Sequence, residues 1–398
     1  MKQKLIIVGA GMVGVRLIEN LLKVAPERYE IQVFNKEPAA GYNRIMLSPV
    51  LAGEKKLADI ITHDEAWFEE RKVQLFIDTE IVSVDQKKQS VVTSKGKEFL
   101  FDKLIIATGS APFILPIKGH DLPSVIAFRD IQDVDKMIVA SKQKQRAVVI
   151  GGGLLGLEAA NGLIKLGMDV TVVHLSDILM DVQMDEVAGG LLKDSLQAGG
   201  MKFAMSARTA EILGSKDVTG VKFEDGREID TDLVVMAVGI RPSVGLAKKM
   251  ALKVNHGIVV NDQLETSAKN IYALGECVEH RGQIYGLVAP LYEQAEVLAN
   301  CLADNSAAYQ GSFVSTKLKV TGVSLFSAGE FQDGEQTESL IYQDLSQNIY
   351  RKIVLKDNKI KGALMFGDVS GSNWIFDNLI SQTDMSEYRD TLVFGAGF

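Results

Sequence analysis

Apolar residues gather in short unbroken runs: Leu5-Ile6-Ile7-Val8, Leu104-Ile105-Ile106-Ala107, Ala147-Val148-Val149-Ile150 and Leu233-Val234-Val235-Met236-Ala237-Val238. Each run reads as a buried strand. Two of them end in the same glycine pattern, Gly9-Ala-Gly11-Met-Val-Gly14 and Gly151-Gly-Gly153-Leu-Leu-Gly156, so each predicts a strand, a tight turn and a helix. In such a turn the first glycine reverses the chain, the second leaves the backbone open to a pyrophosphate, and the third lets helix and strand pack closely. The anion then sits at the positive end of the helix, among free backbone N–H groups. Two such turns imply two dinucleotides.

A longer repeat surrounds the glycines. Val91 to Ser110 reads as a strand, a Lys95-Gly96 turn, a second strand and then a run ending in Ala107-Thr108-Gly109; Val221 to Ile240 repeats that order around Asp225-Gly226 and ends in Ala237-Val238-Gly239. The expectation is an α/β chain with two Rossmann-like domains, each a parallel sheet whose crossover is a small β-element. The second unit starts near Pro116 and closes near Pro242, so it interrupts the first, which resumes with Val259 to Gly275 and a helix after Pro290. Beyond about Gly311, a hairpin made of Ile353-Val354-Leu355 and Ala363-Leu364-Met365-Phe366, with a short amphipathic helix from Trp374 to Ile380, predicts a C-terminal α+β domain. The expected boundaries are 1–116 with 243–310, then 117–242, then 311–398.

Composition narrows the class. A chain of 398 residues, 46% hydrophobic and 24% charged, exceeds one ordinary core. Its net charge of −8 gives no footprint for nucleic acid or an anionic membrane. The opening Met-Lys-Gln-Lys and apolar run resemble a signal peptide, but the glycine turn, Arg16 and Glu19 break the run. No stretch approaches the roughly 20 apolar residues of a membrane helix. The two cysteines, Cys277 and Cys301, form no CxxC pair and no His-rich cluster accompanies them, so neither a metal nor a disulfide is expected. Cys301 shares a helical apolar pattern with Leu291, Ala295, Leu298 and Leu302, which predicts a buried structural thiol. A reducing cytoplasm suits this composition.

In a unit of this kind an acid after the second strand holds a ribose diol. In the first unit Ile31-Gln32-Val33-Phe34 runs into Asn35-Lys36-Glu37, which makes Glu37 the candidate, with a solvated loop acid as the alternative. In the second, Val170 to Val173 ends in His174, and His174-Leu-Ser-Asp offers no arginine or lysine for a 2′-phosphate. NADH is therefore favoured over NADPH, although a protonated histidine can pair with a phosphate. Asp177 is read either as a hydrogen-bonding partner for the nucleotide or as a cap.

The two glycine turns, Ala107-Thr108-Gly109, Ala237-Val238-Gly239 and Ile271-Tyr-Ala-Leu-Gly275-Glu276 occur in the order found in FAD- and NAD(P)H-dependent pyridine nucleotide reductases, a family the chain resembles nearly end to end. Within it the chain is most similar to the N-terminal flavin module of the NAD(P)H nitrite reductase large subunit and to rubredoxin and ferredoxin reductases. The likeness is carried by Gly41-Tyr-Asn-Arg-Ile-Met-Leu-Ser48, Gly151 to Asn161, Gly275-Glu276-Cys277, Gly286-Leu-Val-Ala-Pro290 and Ser315-Thr-Lys-Leu-Lys319. The resemblance implies FAD on Gly9, Gly11 and Gly14, with Glu276 on its ribityl or pyrophosphate region. Arg44 and Ser48 would lie beside the isoalloxazine, and Ala289-Pro290 would start a helix aimed at the flavin edge. It also implies NAD(P)H on Gly151, Gly153 and Gly156, with Glu158 near the nicotinamide. Ferredoxin reductases often pair that acid with a lysine where this chain has Pro49, and Lys55 or Lys56 are the candidates to replace it. Trp374 is read as core rather than as a flavin cover.

Gly41 to Gly53 contains no cysteine. Disulfide reductases of this family carry CxxxxC there, and its oxidases and peroxidases a lone cysteine. The resemblance therefore implies electrons leaving the flavin directly for an external redox protein: an iron–sulfur, rubredoxin-like or nitrite/nitrate reductase component. The cysteine-rich Fe–S and siroheme modules of nitrite reductases are not in this sequence, so nitrite itself is not an expected substrate of this chain. An NADH oxidase producing hydrogen peroxide and a redox-gated flavin-binding protein are the alternatives. Oligomeric state is not legible.

Overall fold

The computed structural model describes residues 2–320 and 322–395, the side chains at 318–320 excepted. Its contacts divide into two compact units. The first comprises Met1–Leu47, Lys55–Ala111 and Ile240–Ser312, and the second Ser48–Glu54, Pro112–Gly239 and Phe313–Phe398.

The first unit is built on a five-stranded parallel sheet in the order Ile271–Ala273, Lys103–Ile106, Gln3–Val8, Tyr29–Phe34, Gln74–Phe76. Leu5, Ile6 and Ile7 have no exposed surface, which is why their run lacks the polar alternation of a half-exposed strand. The helix Met12–Val24 buries Gly14, Leu17, Ile18 and Leu21, linked by steps of three and four along one face, with Val15 beside them, and leaves Arg16 and Glu19 outside the core. The helix Val288–Leu302 buries Leu291, Ala295, Leu298, Ala299 and Leu302 in the same way.

The second unit repeats the plan with the parallel order Lys202–Ala204, Asp169–Val173, Arg146–Ile150, Leu233–Met236, Val125–Ala127. The crossover in each unit is an antiparallel sheet, Ile81–Asp85 with Ser90–Thr93 and Glu98–Leu100, and Thr209–Gly214 with Val218–Phe223 and Glu228–Asp230. The leading strand of each was not legible in the repeat, because Ile81-Val-Ser-Val-Asp85 and Thr209-Ala-Glu-Ile-Leu-Gly214 are half-exposed and bulged.

Residues beyond 313 form an antiparallel sheet in the order Ser315–Val320, Val323–Gly329, Lys359–Phe366, Ile349–Lys356, Glu338–Asp344, covered by the helix Ser372–Ser381. The expected hairpin and helix are its centre. Trp374 packs on this core and lies edge-on to Tyr388. The Tyr350 hydroxyl donates to the Asp185 carboxylate at 2.8 Å, within the same unit. Burial and that carboxylate push the Tyr350 phenol well above its usual range. Cys277, not Cys301, is the fully buried thiol, and burial pushes its pKa up; Cys301 is only partly covered. The side chain of Lys319 lies outside the described residues.

Candidate functional site

Each unit holds one glycine turn at the carboxyl end of its central strand. In the first, Gly9 has φ +115°, and a Cβ there would stand 2.2 Å from the carbonyl oxygen of Ala107. A Cβ on Gly14 would stand 2.2 Å from the carbonyl of Gly9. Fold geometry alone therefore requires both glycines. Gly11 differs: it is the N-cap of the helix, with φ −73°, and nothing lies within 4 Å of the position its Cβ would take. Neither packing nor backbone strain demands a glycine there. An open cradle that a side chain would fill, at a helix N-terminus with unsatisfied N–H groups, fits a pyrophosphate.

The second turn reproduces this. A Cβ on Gly151 (φ +120°) would stand 2.2 Å from the Ala237 carbonyl and one on Gly156 1.9 Å from that of Gly151, whereas Gly153, the helix N-cap, again has nothing within 4 Å. Ala107 and Ala237 thus play one role in two copies: their carbonyls close the floor under the first glycine. Gly109 and Gly239, with φ +62° and +105°, then turn the chain away.

Around the first cradle, Asn35 accepts the Ala10 N–H at 3.2 Å and donates to the carbonyls of Glu37 and Ala39, fixing the loop after the second strand. Glu37 accepts from Tyr42 at 2.6 Å and from Arg44 at 2.7 Å, and the Arg44 guanidinium lies 5.0 Å from the centre of the Tyr42 ring. Residues assigned from sequence to opposite ends of one cofactor therefore form one cluster. Thr108 donates to the carbonyl of Ser243 at 2.8 Å. Ser110 donates to the Glu276 carboxylate at 2.5 Å, beside the Gly275 turn (φ +92°). Ala289 and Pro290 lie in the first turn of the helix Val288–Leu302, whose N-cap has no side-chain partner.

In the second unit His174 packs against the turn. The Gly152 N–H donates to its Nδ1 at 3.1 Å, so the neutral ring carries its proton on Nε2, which is buried without a hydrogen-bond partner and lies 3.8 Å from Asp181. The middle glycine of Gly-Gly-Gly is explained by this ring, which a Cβ on Gly152 would meet at 2.7 Å. Asp177 is not the cap of the following segment: Ser176 accepts the Ile178 N–H at 3.2 Å, and Asp177 is exposed.

Glu158 sits in the second turn of the helix Leu154–Lys165 and is half-buried, unlike a solvated first-turn acid. Ser48 donates to its Oε2 at 2.5 Å. Burial raises the Glu158 pKa above the usual carboxylate value, against the lowering effect of the Ser48 hydroxyl. Both groups line a cavity of about 430 Å³ with Pro49, Ala52, Glu54, Asn161, Lys165 and Gly322. Its cation is Lys165, paired with Glu54. Lys55 and Lys56 are exposed and belong to the first unit. The Ser48–Glu54 segment is seated by Gly162, where a Cβ would lie 2.6 Å from Leu51. Asn161 and Lys165 are three and seven residues after Glu158, a single helix face, which the sequence could have signalled.

A carboxyl whose folded pKa lies above its unfolded value weakens the folded state while ionised, and that cost disappears as pH falls through the folded and then the unfolded pKa. Glu158→Gln, which still accepts from Ser48, is expected to raise Tm by about 1–3 °C near neutral pH. The gain should shrink toward acid in calorimetric scans. A variant less stable than wild type at neutral pH would contradict this assignment.

Two glycine turns of one pattern, each opening a helix at the end of a parallel sheet, define a duplicated dinucleotide-fold class. The comparisons agree. The model of the family described as pyridine nucleotide-disulphide oxidoreductase matches residues 3–297, and that of the rubredoxin NAD+ reductase C-terminal domain matches residues 315–383. The chain belongs to the pyridine nucleotide-disulphide oxidoreductase family. It is 50% identical to a nitrite reductase [NAD(P)H] of Bacillus subtilis over 97% of its own length and 48% of that protein's. It is 42% identical to an assimilatory nitrate reductase electron transfer subunit of the same organism, over 98% of the chain and 51% of the relative. The chain thus spans about half the length of these relatives. The crystal structure of NADH:rubredoxin oxidoreductase from Clostridium acetobutylicum superposes with a TM-score of 0.81 at 27% identity, covering 97% of each chain. Among the described residues no helix is long and apolar enough to cross a membrane, and no group of His, Cys, Asp and Glu could hold a metal.

Proposed function

We propose that this chain oxidises NADH and passes the electrons, through FAD, to a separate redox centre. FAD occupies the cradle at Gly9, Gly11 and Gly14, and NADH the one at Gly151, Gly153 and Gly156. The domain scheme is 1–116 with 243–310 for FAD, 117–242 for NADH and 311–398 for the partner-facing α+β domain. The observation that carries this reading is the pair of helix N-caps, Gly11 and Gly153, that are glycine without any packing reason.

Bound FAD supplies the conversion between the electron pair of a hydride and single electrons. The chain's own residues bind and orient. Free N–H groups at the two helix N-termini hold the pyrophosphates. Glu37, already accepting from Tyr42 and Arg44, keeps lone pairs for a ribose diol. Glu276 and Ser110 hold the ribityl or pyrophosphate region, and the Val288–Leu302 helix end favours negative charge at the flavin edge. Glu158, bonded to Ser48, orients the nicotinamide.

With no thiol between Gly41 and Gly53, the acceptor is an external iron–sulfur, rubredoxin-like or nitrite/nitrate reductase component rather than a disulfide. The relatives' printed functions and a cytoplasmic setting both suit this. Glu158→Ala is expected to leave FAD bound and slow flavin reduction by NADH about 10–100-fold in stopped flow. Unchanged reduction kinetics would remove Glu158 from the site. Fast oxygen uptake without any carrier would favour an oxidase instead.

A further inference from the structure

Gln294 is a buried polar residue on the apolar stripe of the helix Val288–Leu302, only 1% exposed, and nothing above gives it a task. Its Oε1 accepts the backbone N–H of Gly275 at 2.9 Å. That bond fixes which way the amide faces, leaving Nε2 as its donor end. The Tyr309 and Ser312 oxygens are 2.7 Å apart, and Ser312 donates to the Glu293 carboxylate at 2.5 Å.

Gly275 donates to Gln294, and in the neighbouring loop Ser312 gives its proton to the Glu293 carboxylate, so Tyr309 is the donor to Ser312. Burial pushes the Tyr309 phenol up to about 12, so it stays a donor at any working pH. The Ser312 N–H donates to Tyr285 at 3.2 Å, bracing the far end.

The near end is the informative one. Gly275 is held at φ +92° and directly precedes Glu276, whose carboxylate accepts from Ser110. The turn is therefore pinned twice: once through its backbone by Gln294 and once through its acid by Ser110. We propose that Gln294 is a positioning residue for FAD, clamping the Gly275–Glu276 turn so that the Glu276 carboxylate is presented to the flavin nucleotide. This rests on the reading that Glu276 touches FAD.

The test is FAD affinity, measured by quenching of flavin fluorescence as apoprotein is added, for wild type, Q294L, Q294E, E276A and the Q294L/E276A pair. Q294L should bind FAD about tenfold or more weakly, and Q294E, which keeps an acceptor for Gly275, should stay within about threefold of wild type. In the E276A background the same leucine should cost less than about threefold, because its effect passes through the missing acid. Wild-type affinity in Q294L, or an equal loss in both backgrounds, would overturn the proposal. If Q294L does not fold, Gln294→Asn replaces it, its amide one methylene too short to reach Gly275: it should weaken FAD binding about tenfold, and only with Glu276 in place. No change in that variant would be equally damaging. Wild-type apoprotein that fails to bind FAD at all would instead refute the cofactor reading on which this rests.

Discussion

Replacing Gly11 by valine is expected to leave the protein folded but unable to hold flavin, weakening FAD affinity by about 100-fold or more. The extended backbone at Gly11, φ −73° and ψ −179°, suits any residue, and nothing within 4 Å meets a Cβ. Valine is a poorer N-cap than glycine, at a cost of about 1 kcal/mol to the helix, which a domain with this core can absorb. The space that valine would fill is the space the proposed pyrophosphate site requires. Its neighbours behave differently: at Gly9 or Gly14 a methyl group would stand 2.2 Å from a backbone oxygen, so alanine there should damage the fold itself. Circular dichroism and flavin content separate the two classes. A Gly11→Val protein that purifies with a full complement of FAD would show that the cradle lies elsewhere.

The second large effect is expected at Gly153, for the same reason in the other unit. Gly153→Val should keep its FAD and its reduction by dithionite, while reduction by NADH falls by about 100-fold or more. Again the flanking glycines serve as contrast, since a Cβ at Gly151 or Gly156 would lie 2.2 or 1.9 Å from backbone oxygen. Stopped-flow traces with the two reductants on one sample are sufficient. Equal loss with both would place the valine's effect on the flavin rather than on the nucleotide.

The two glycine turns were legible because this glycine spacing after a buried strand has few physical uses. The chain must reverse after a buried strand, and only Gly9 and Gly151 can adopt φ near +115° to +120° under a carbonyl. The unbroken apolar runs likewise foretold both parallel sheets, and the strand–turn–strand repeat foretold two of the three strands in each antiparallel crossover. What was not legible depends on partners distant in sequence. Glu158 and Lys165 share a helix face that periodicity reveals, but the acid that holds Lys165 is Glu54, 111 residues away. Glu37 and Arg44 are close in sequence, yet nothing in their spacing says that one carboxylate accepts from both Tyr42 and Arg44. Gln294 interrupts the apolar stripe of Leu291, Ala295 and Leu298, a visible oddity whose meaning required the Gly275 turn. The outer strands of the C-terminal sheet escaped because Glu338–Asp344 is half-exposed and polar-rich, and resembles loop.

The central claim is that one chain binds both nucleotides and moves a hydride between them. An anaerobic titration of the purified protein with NADH tests it most directly. The account predicts a yellow protein whose oxidised-flavin absorbance is lost at about one NADH per flavin and restored by a one-electron acceptor such as ferricyanide. A colourless protein that cannot be reconstituted with FAD, or a bound flavin that NADH leaves oxidised, would contradict it.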